Sequence, residues 1–399
     1  MGGAIAADDR HGRAPPVVYL AITLYALAFM SQTPTKVYWV KSVTEKDGDA
    51  AASYATLQSF FALLQLGGSL VCGALVDRFG GKALLLLSLA ASVLHYALTA
   101  HASSLLGLLL AAVPTVLQHA VLAGRAYLTG ALDHAQHATA LGRVSIAYGV
   151  GMALGPLIGG SIASAVSLPA AAGFAAALSL ATAALVWVAL PDLKLAGAAA
   201  QAAAEGAKRA PGAAATSYSE LLQIPAVQAG LLLKLCFFFS TQLFYSTFGL
   251  LAIDHWRMDA SEMGVVLSLV GLVSCLAGAA MPLLAGAPPR QVLAASSAGC
   301  AAALFALGFA PAGATVYLLI VPQAFLATVF ATIQSTQMTT SAPPHLQGSL
   351  NAADMALRSL TSIFAPFLAQ QLLKSAGSFS GTLVPAALMA GVALLCLVQ

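Results

Sequence analysis

In the run from 349 to 373, Asn351, Asp354, Arg358 and Thr361 recur three or four residues apart with Ser362 beside them. On a helix this spacing gathers them on one polar face of an otherwise apolar surface. A carboxylate and a guanidinium one turn apart can satisfy each other as a structural ion pair. Alternatively, the carboxylate can trade that partner for a proton or a charged solute. Asp354 is the one acidic residue in the interior of any long apolar run of the chain. Lys234 stands in the middle of the run 225–251, too deep to reach water along its own stem, and is followed by Ser240, Thr241, Gln242 and Tyr245. It reads as a cation facing a cavity. Between 314 and 338 a milder stripe of Thr328, Thr332 and Ser335 continues to Thr339, with Gln334 and Gln337 nearby. Hydroxyls on such helices also bond their own backbone, so the stripe carries this reading rather than any one member. The first half of the chain has its own polar sets: Ser31-Gln32-Thr33, then Gln58 and Gln65 seven apart with Phe61, then Gln118 and Arg125 seven apart with His119. Lys36 is expected to extend toward water. His95 and His119 could pass protons, or could be packed hydrogen-bonding groups.

These residues do not assemble into a catalytic set. There is no Gly-x-Ser-x-Gly elbow, no paired metal-ligand spacing and no phosphate loop of the Walker type. Neither a metal nor a cofactor is expected, and an enzyme acting within the membrane would need more interior carboxylates or histidines than one. The five cysteines, Cys72, Cys236, Cys275, Cys300 and Cys396, fall in or at the edge of apolar runs and read as packing groups. A net charge of +3 gives no footprint for nucleic acid.

The elements that must hold these groups follow from composition. Of the 399 residues 59% are hydrophobic and 8% charged, with a mean hydropathy of +0.87, against roughly 25% charged in soluble domains. The chain is therefore an all-α integral membrane protein, since a span needs about 20 apolar residues. Twelve runs satisfy this: 17–40, 54–76, 83–101, 104–129, 144–167, 169–190, 225–251, 262–285, 291–310, 314–338, 349–373 and 379–398. Residues 1–16 carry charge and no apolar core, which fits a cytoplasmic tail. Residues 191–224 are Ala- and Gly-rich with Lys194, Glu205, Lys208, Arg209 and Pro211, the composition of a cytoplasmic linker. They divide the chain into a six-helix bundle over 17–190 and another over 225–399. Ser31-Gln32-Thr33 is echoed by Ser240-Thr241-Gln242, and Leu141 to Ser145 by Gly348 to Asn351, as in a parallel repeat. With both termini in the cytoplasm nine cations fall inside against four outside, as the positive-inside rule prefers.

The polar segment between the second and third runs is Gly73-Ala-Leu-Val-Asp77-Arg78-Phe-Gly80-Gly81-Lys82. Gly73 is expected to permit close helix approach and Gly80 with Gly81 a tight turn at positive φ. Arg78 and Lys82 are expected beside lipid head groups, and Asp77 needs a cation or a helix N-terminus as partner. In the fifth run, Gly151, Gly155 and Gly159 stand four apart, with Pro156 and Gly160 in the same string, a smooth face for helix contact with a bend at the proline. The loop resembles the signature between helices two and three of the major facilitator superfamily. It has Gly81 where a second basic residue is usual. The fifth-run string resembles the helix-five motif of the drug-exporting, proton-antiport branch, and residues 54–160 look most like its organic-cation-transporter-like and tetracycline-transporter-like eukaryotic carriers.

That resemblance implies two pseudo-symmetric six-helix bundles and a secondary transporter working by alternating access, monomeric and bathed in membrane lipid. It implies a small organic solute, an organic cation or drug-like amphiphile first, exchanged for protons. It also implies a cytoplasmic gate in which Asp77 latches with Arg125 and Arg143 nearby. Lys234 and Arg358 suit an organic anion equally well, and a non-transporting receptor or scaffold is the further alternative. The polar stripes in both halves speak against the scaffold, because a solid bundle has no need to hydrate them.

Overall fold

The computed structural model describes residues 2–44, 49–192, 220–221, 223–284, 286–311, 313–343 and 346–398. Among them there is no β-strand. The helices are α1 (Gly2–Ser31), α2 (Lys36–Thr44), α3 (Ala50–Ala100), α4 (Leu105–Ala112), α5 (Ala120–Ala131), α6 (His134–Ala165) and α7 (Leu168–Ala189). They continue as α8 (Pro225–Asp254), α9 (Ala260–Ala280), α10 (Pro289–Gly308), α11 (Ala314–Ser341), α12 (Gln347–Ala376) and α13 (Ser380–Val398). Short 3₁₀ segments follow α4 (Val113–Leu117) and α9 (Met281–Leu284).

Ten helical stretches are long and apolar enough to cross a membrane. One of them, α3, is two helices joined at Gly80, whose φ of 81° and ψ of 169° break the helical path. The 30-residue α12 falls outside those ten because its polar face dilutes its hydropathy. Twelve spans result among the described residues, an all-α membrane architecture.

Two spans that hydropathy presents as single helices are broken. The first ends at Ser31 and resumes at Lys36, and the fourth passes from α4 through the 3₁₀ turn before α5 starts at Ala120. Pro34 and Pro114 mark both interruptions, since proline lacks the N–H for the helical ladder and disfavours helical geometry just before it. The segment 191–224 lies largely outside the described residues, as do the side chains of residues 2–13, although α1 already begins at Gly2.

The chain forms two compact units. Unit 1 comprises Met1–Gly48, Leu63–Lys208 and Ala260–Ser268, and unit 2 comprises Asp49–Ala62, Arg209–Asp259 and Leu269–Gln399. In unit 1 the glycines of α6 lie against α1: a Cβ at Gly151 would stand 2.4 Å from Ala26 Cβ, at Gly155 2.7 Å from Met30 Cβ, and at Gly159 1.8 Å from the Ser31 carbonyl oxygen. Gly160 does the same against α9, where a Cβ would come within 2.2 Å of the Ala260 oxygen, and Pro156 backs onto Gly264. Without side chains on this stripe, α1 and α6 pack backbone to backbone. In unit 2, Phe237 of α8 stacks on Phe330 of α11 at 4.0 Å between centroids. The start of α3 is tied into the same unit by Gln58, whose amide donates to the Ser246 carbonyl at 3.2 Å, and by Ser59, which donates to that of Ile363 at 2.7 Å.

Candidate functional site

Unit 2 holds a cluster of three charges. Lys234 on α8 is 4% exposed. Its Nζ lies 2.7 Å from Asp354 Oδ1 on α12 and donates to Ser335 Oγ on α11 at 3.0 Å. The contact with Asp354 is one of charge, off the hydrogen-bond axis, and Oδ1 makes no hydrogen bond of its own among the described residues. Arg358, one turn further along α12, reaches Asp354 Oδ2 through Nε at 3.4 Å, and its side chain is 51% exposed. Phe238 sits under both cations, with the guanidinium carbon 4.0 Å and the ammonium 5.7 Å from its ring centre. Such cation–π contacts contribute roughly 0.5–2 kcal/mol, more as water is excluded.

The spacing on α12 pairs Asp354 with Arg358, but the tighter partner is Lys234. An i,i+4 neighbour is visible in sequence, whereas a residue 120 positions away on another helix is not. The burial differs as well. A carboxylate with a fully buried lysine on one side and a half-exposed arginine on the other has one fixed partner and one free to leave. Two cations against one carboxylate leave the cluster a formal charge of +1.

The other polar residues sort by their bonds. Of the α11 stripe, only Ser335 joins the cluster. Thr332 donates back to the Thr328 carbonyl at 2.8 Å, and Gln334 donates to that of Gly230 at 2.7 Å. Asn351 is exposed, and Gln242 is half-buried two turns beyond Lys234. In unit 1, the Gln32 amide is buried and donates to the Ala171 carbonyl at 2.9 Å, holding the end of α1 to α7. Lys36 lies over the Phe29 ring at 5.6 Å.

Unit 1 also contains a cavity of about 380 Å³. The rings of Tyr25, Phe29 and Tyr148 line it, together with Gln65, Gln118 and Arg125. Sequence reasoning finds the two glutamines and the arginine from their sevenfold spacing but misses the rings, whose positions among so many apolar residues carry no distinguishing period. Phe238 is missed for the same reason.

At the loop after α3's first half, the structure corrects three expectations. Nothing lies within 4 Å of a Cβ built at Gly73, and the close approaches are at Gly81, 2.5 Å from the Tyr127 nitrogen, and at Gly68, 2.0 Å from the Val116 oxygen. Positive φ belongs to Gly80 and not to Gly81, because one such residue suffices to turn the chain. Lys82 pairs with Asp192 at 3.0 Å instead of reaching outward. Arg78 lies over Phe79, and Asp77, Arg125 and Arg143 are all exposed. No ion pair forms at Asp77 among the described residues. The five cysteines are free thiols, and no group of three or more potential metal-binding side chains occurs among the described residues.

Twelve helical spans, with charges and polar groups buried inside them, define a polytopic membrane protein. The profile of the Major Facilitator Superfamily matches residues 18–366. The chain belongs to that superfamily, whose members are transporters rather than enzymes. It is 31% identical over 250 residues to human solute carrier family 67 member A1, a match covering 59% of this chain and 57% of the relative. Over 156 residues it is 31% identical to the class C tetracycline resistance protein of Escherichia coli, covering 39% of each. The chain thus spans about half the length of the curated relatives it matches, or less. Among solved structures, the human organic anion transporter MFSD10 superposes with a TM-score of 0.64 over 97% of this chain and 99% of that one, at 17% identity. This establishes a shared fold.

Proposed function

We propose that this transporter carries a small organic anion together with a proton, and that Asp354 is the proton carrier. The observation behind this reading is the placement of Asp354 between Lys234 and Arg358. While the carboxylate is ionised it occupies both cations. Protonation removes its charge and leaves Lys234 and Arg358 without a counter-ion, and a solute anion then replaces it. Proton and anion therefore bind together, which sets their flow in the same direction. An organic cation exchanged for protons would instead have to displace Lys234, a buried cation held at 2.7 Å, from the same carboxylate. The geometry favours the anion.

The working unit in this reading is one chain whose two six-helix halves, 17–190 and 225–399, alternate access around the bound solute. The termini and the 191–224 linker lie in the cytoplasm, and Asp77 latches the cytoplasmic gate with Arg125 and Arg143. Flux into sealed proteoliposomes with a pH gradient imposed in either direction tests the central claim. Acid on the side of the solute should drive anion accumulation. Asp354→Asn should abolish the pH drive while sparing exchange of solute for solute, and Arg358→Gln should damage both by leaving the carboxylate half-paired. Uptake of organic cations driven by the opposite gradient would establish exchange for protons instead. An Asp354→Asn carrier with wild-type rate and unchanged pH dependence would make the triad purely structural.

A further inference from the structure

The break in the fourth span sits beside the cavity of unit 1, and its backbone is fully occupied. The Thr115 carbonyl accepts from Gln65 Nε2 at 2.9 Å, that of Leu117 from Ser88 Oγ at 2.8 Å, and that of Gln118 from Tyr25 OH at 3.1 Å. The His119 N–H donates back to Ser88 Oγ at 3.2 Å. His119 Nε2 is buried against Gly68, where a Cβ would meet it at 2.7 Å. What the break leaves over is two side-chain atoms without a hydrogen-bond partner among the described residues, His119 Nε2 and Gln118 Oε1. Gln118 is 2% exposed, lines the cavity, and its Oε1 has no hydrogen-bond partner among the described residues.

The amide orientation follows from its neighbours. Ser92 donates its hydroxyl to the Ser88 carbonyl at 2.8 Å, so towards Gln118 it can only accept. Gln118 Nε2 must therefore be the atom at 2.8 Å from Ser92 Oγ, with Tyr96 OH at 3.0 Å as its second acceptor. Oε1 is thereby fixed as the atom without a partner, and a buried acceptor in that condition is relieved by an incoming donor. Among the described lining residues the one formal charge is the exposed Arg125, on α5 beyond the break. Three aromatic rings line the walls with His119, Ser145 and aliphatic side chains, and the volume lies at the small end of ligand pockets, which run roughly 300–1,000 Å³.

We propose that this cavity recognises a single-ring aromatic acid that also carries a hydrogen-bond donor, with Gln118 Oε1 accepting from the donor and Arg125 pairing the acid group. The inference rests on the transporter reading only in taking the occupant to be the solute carried, held here at a step separate from its replacement of Asp354 beside Lys234 and Arg358. It names a hydroxybenzoate-like class that the charge triad of unit 2 does not specify.

Binding to the purified chain in detergent, measured by titration calorimetry with 4-hydroxybenzoate, benzoate, 4-hydroxybenzyl alcohol and tyramine, tests it. 4-Hydroxybenzoate should bind about tenfold more tightly than benzoate, the value of one hydrogen bond. Gln118→Leu should erase that preference and keep benzoate binding. Arg125→Gln should weaken both acids by about tenfold or more and leave the alcohol unchanged, with Arg125→Lys retaining most of the affinity. Because Arg125 is exposed, its variants decide the question even if Gln118→Leu does not fold. The site is overturned if 4-hydroxybenzoate does not bind, if tyramine or the alcohol binds as well as the acid, or if the Arg125 variants keep the wild-type order. Counterflow of 4-hydroxybenzoate in proteoliposomes separates the two claims. Binding as expected without counterflow defeats the transporter reading and leaves the site standing, whereas counterflow indifferent to Gln118 and Arg125 defeats the site alone.

Discussion

Replacing Gly159 by alanine tests the packing of α1 against α6, which positions Tyr25 and Phe29 on one side of the cavity and Tyr148 on the other. A Cβ at Gly159 would stand 1.8 Å from the Ser31 oxygen, about 1.6 Å short of the 3.4 Å at which ordinary contact begins. The obstacle is a backbone carbonyl at the end of a helix, so it cannot rotate away and the helices must part. Overpacking of this kind costs about 1–3 kcal/mol, and a displacement of this size belongs at the upper end. Alanine regains about 1 kcal/mol over glycine in a helix interior, leaving a net loss of about 2 kcal/mol. For a unit of this size that is a fall in Tm of about 4–8 °C. Two controls share the chemistry and differ in what the methyl meets. Gly142, also on α6, has nothing within 4 Å, and its alanine variant should match or exceed wild type. Gly299 faces Leu326 Cδ1 at 2.5 Å, the movable tip of a side chain, so its variant should fall between. Differential scanning fluorimetry in detergent gives the order directly. If Gly159→Ala melts with Gly142→Ala, the backbone-to-backbone packing is wrong.

The remaining predictions concern charge and turn. Lys234→Met should lower stability by about 1–3 kcal/mol by leaving Asp354, about one-fifth exposed, with only its half-exposed partner, and adding Asp354→Leu should restore most of that loss. Thermal unfolding of the four-member cycle checks this, and effects that add within about 0.5 kcal/mol would dismiss the pair. Gly80→Ala should cost about 1–3 kcal/mol for a side chain at φ 81° and ψ 169°, a region essentially confined to glycine, and Gly81→Ala more, because its Cβ would meet the Tyr127 backbone at 2.5 Å; melting temperatures in the reverse order would contradict that geometry. Asp49, at the entry to α3, contacts Lys374 near the end of α12. Burial pushes its carboxyl up, but the Lys374 hydrogen bond and charge with the Ala52 and Ala51 N–H groups outweigh it and hold the value below the usual 3.8. Its contribution is therefore present above that value and lost as pH falls through the depressed one. Melting temperatures of wild type and Asp49→Asn across this acid range should converge at the low end, and a constant offset would refute the assignment.

Hydropathy alone delimits nearly every span, because the energetic demand of a bilayer is written into each run of about 20 residues. Run 169–190 is helix α7 at Leu168–Ala189, and 225–251 is most of α8. Interruptions are different. Val113 to Leu117 are as apolar as their surroundings, and Pro34 and Pro114 are the only local signals of a break. Face and partner fare likewise. The stripe of Gly151, Gly155 and Gly159 is periodic and predicts contact, but nothing in the sequence says that its partner is the backbone of α1. Polar residues on one helix face are legible as a set. Which of them meet, as Lys234, Ser335 and Asp354 do, depends on three helices far apart in the chain.

The broken fourth span behaves as a riveted elbow rather than a hinge. Its two arms cannot flex about residues 113–119 on their own, because the carbonyls there are held by side chains rooted in α1 and in both halves of α3. A change of angle at the elbow must break several of these bonds at once or carry all three neighbours with it. The parts of the first four spans that lie in unit 1 are therefore expected to travel as one body, and slow amide exchange at the elbow, as slow as in an unbroken helix, would be the signature of that stiffness.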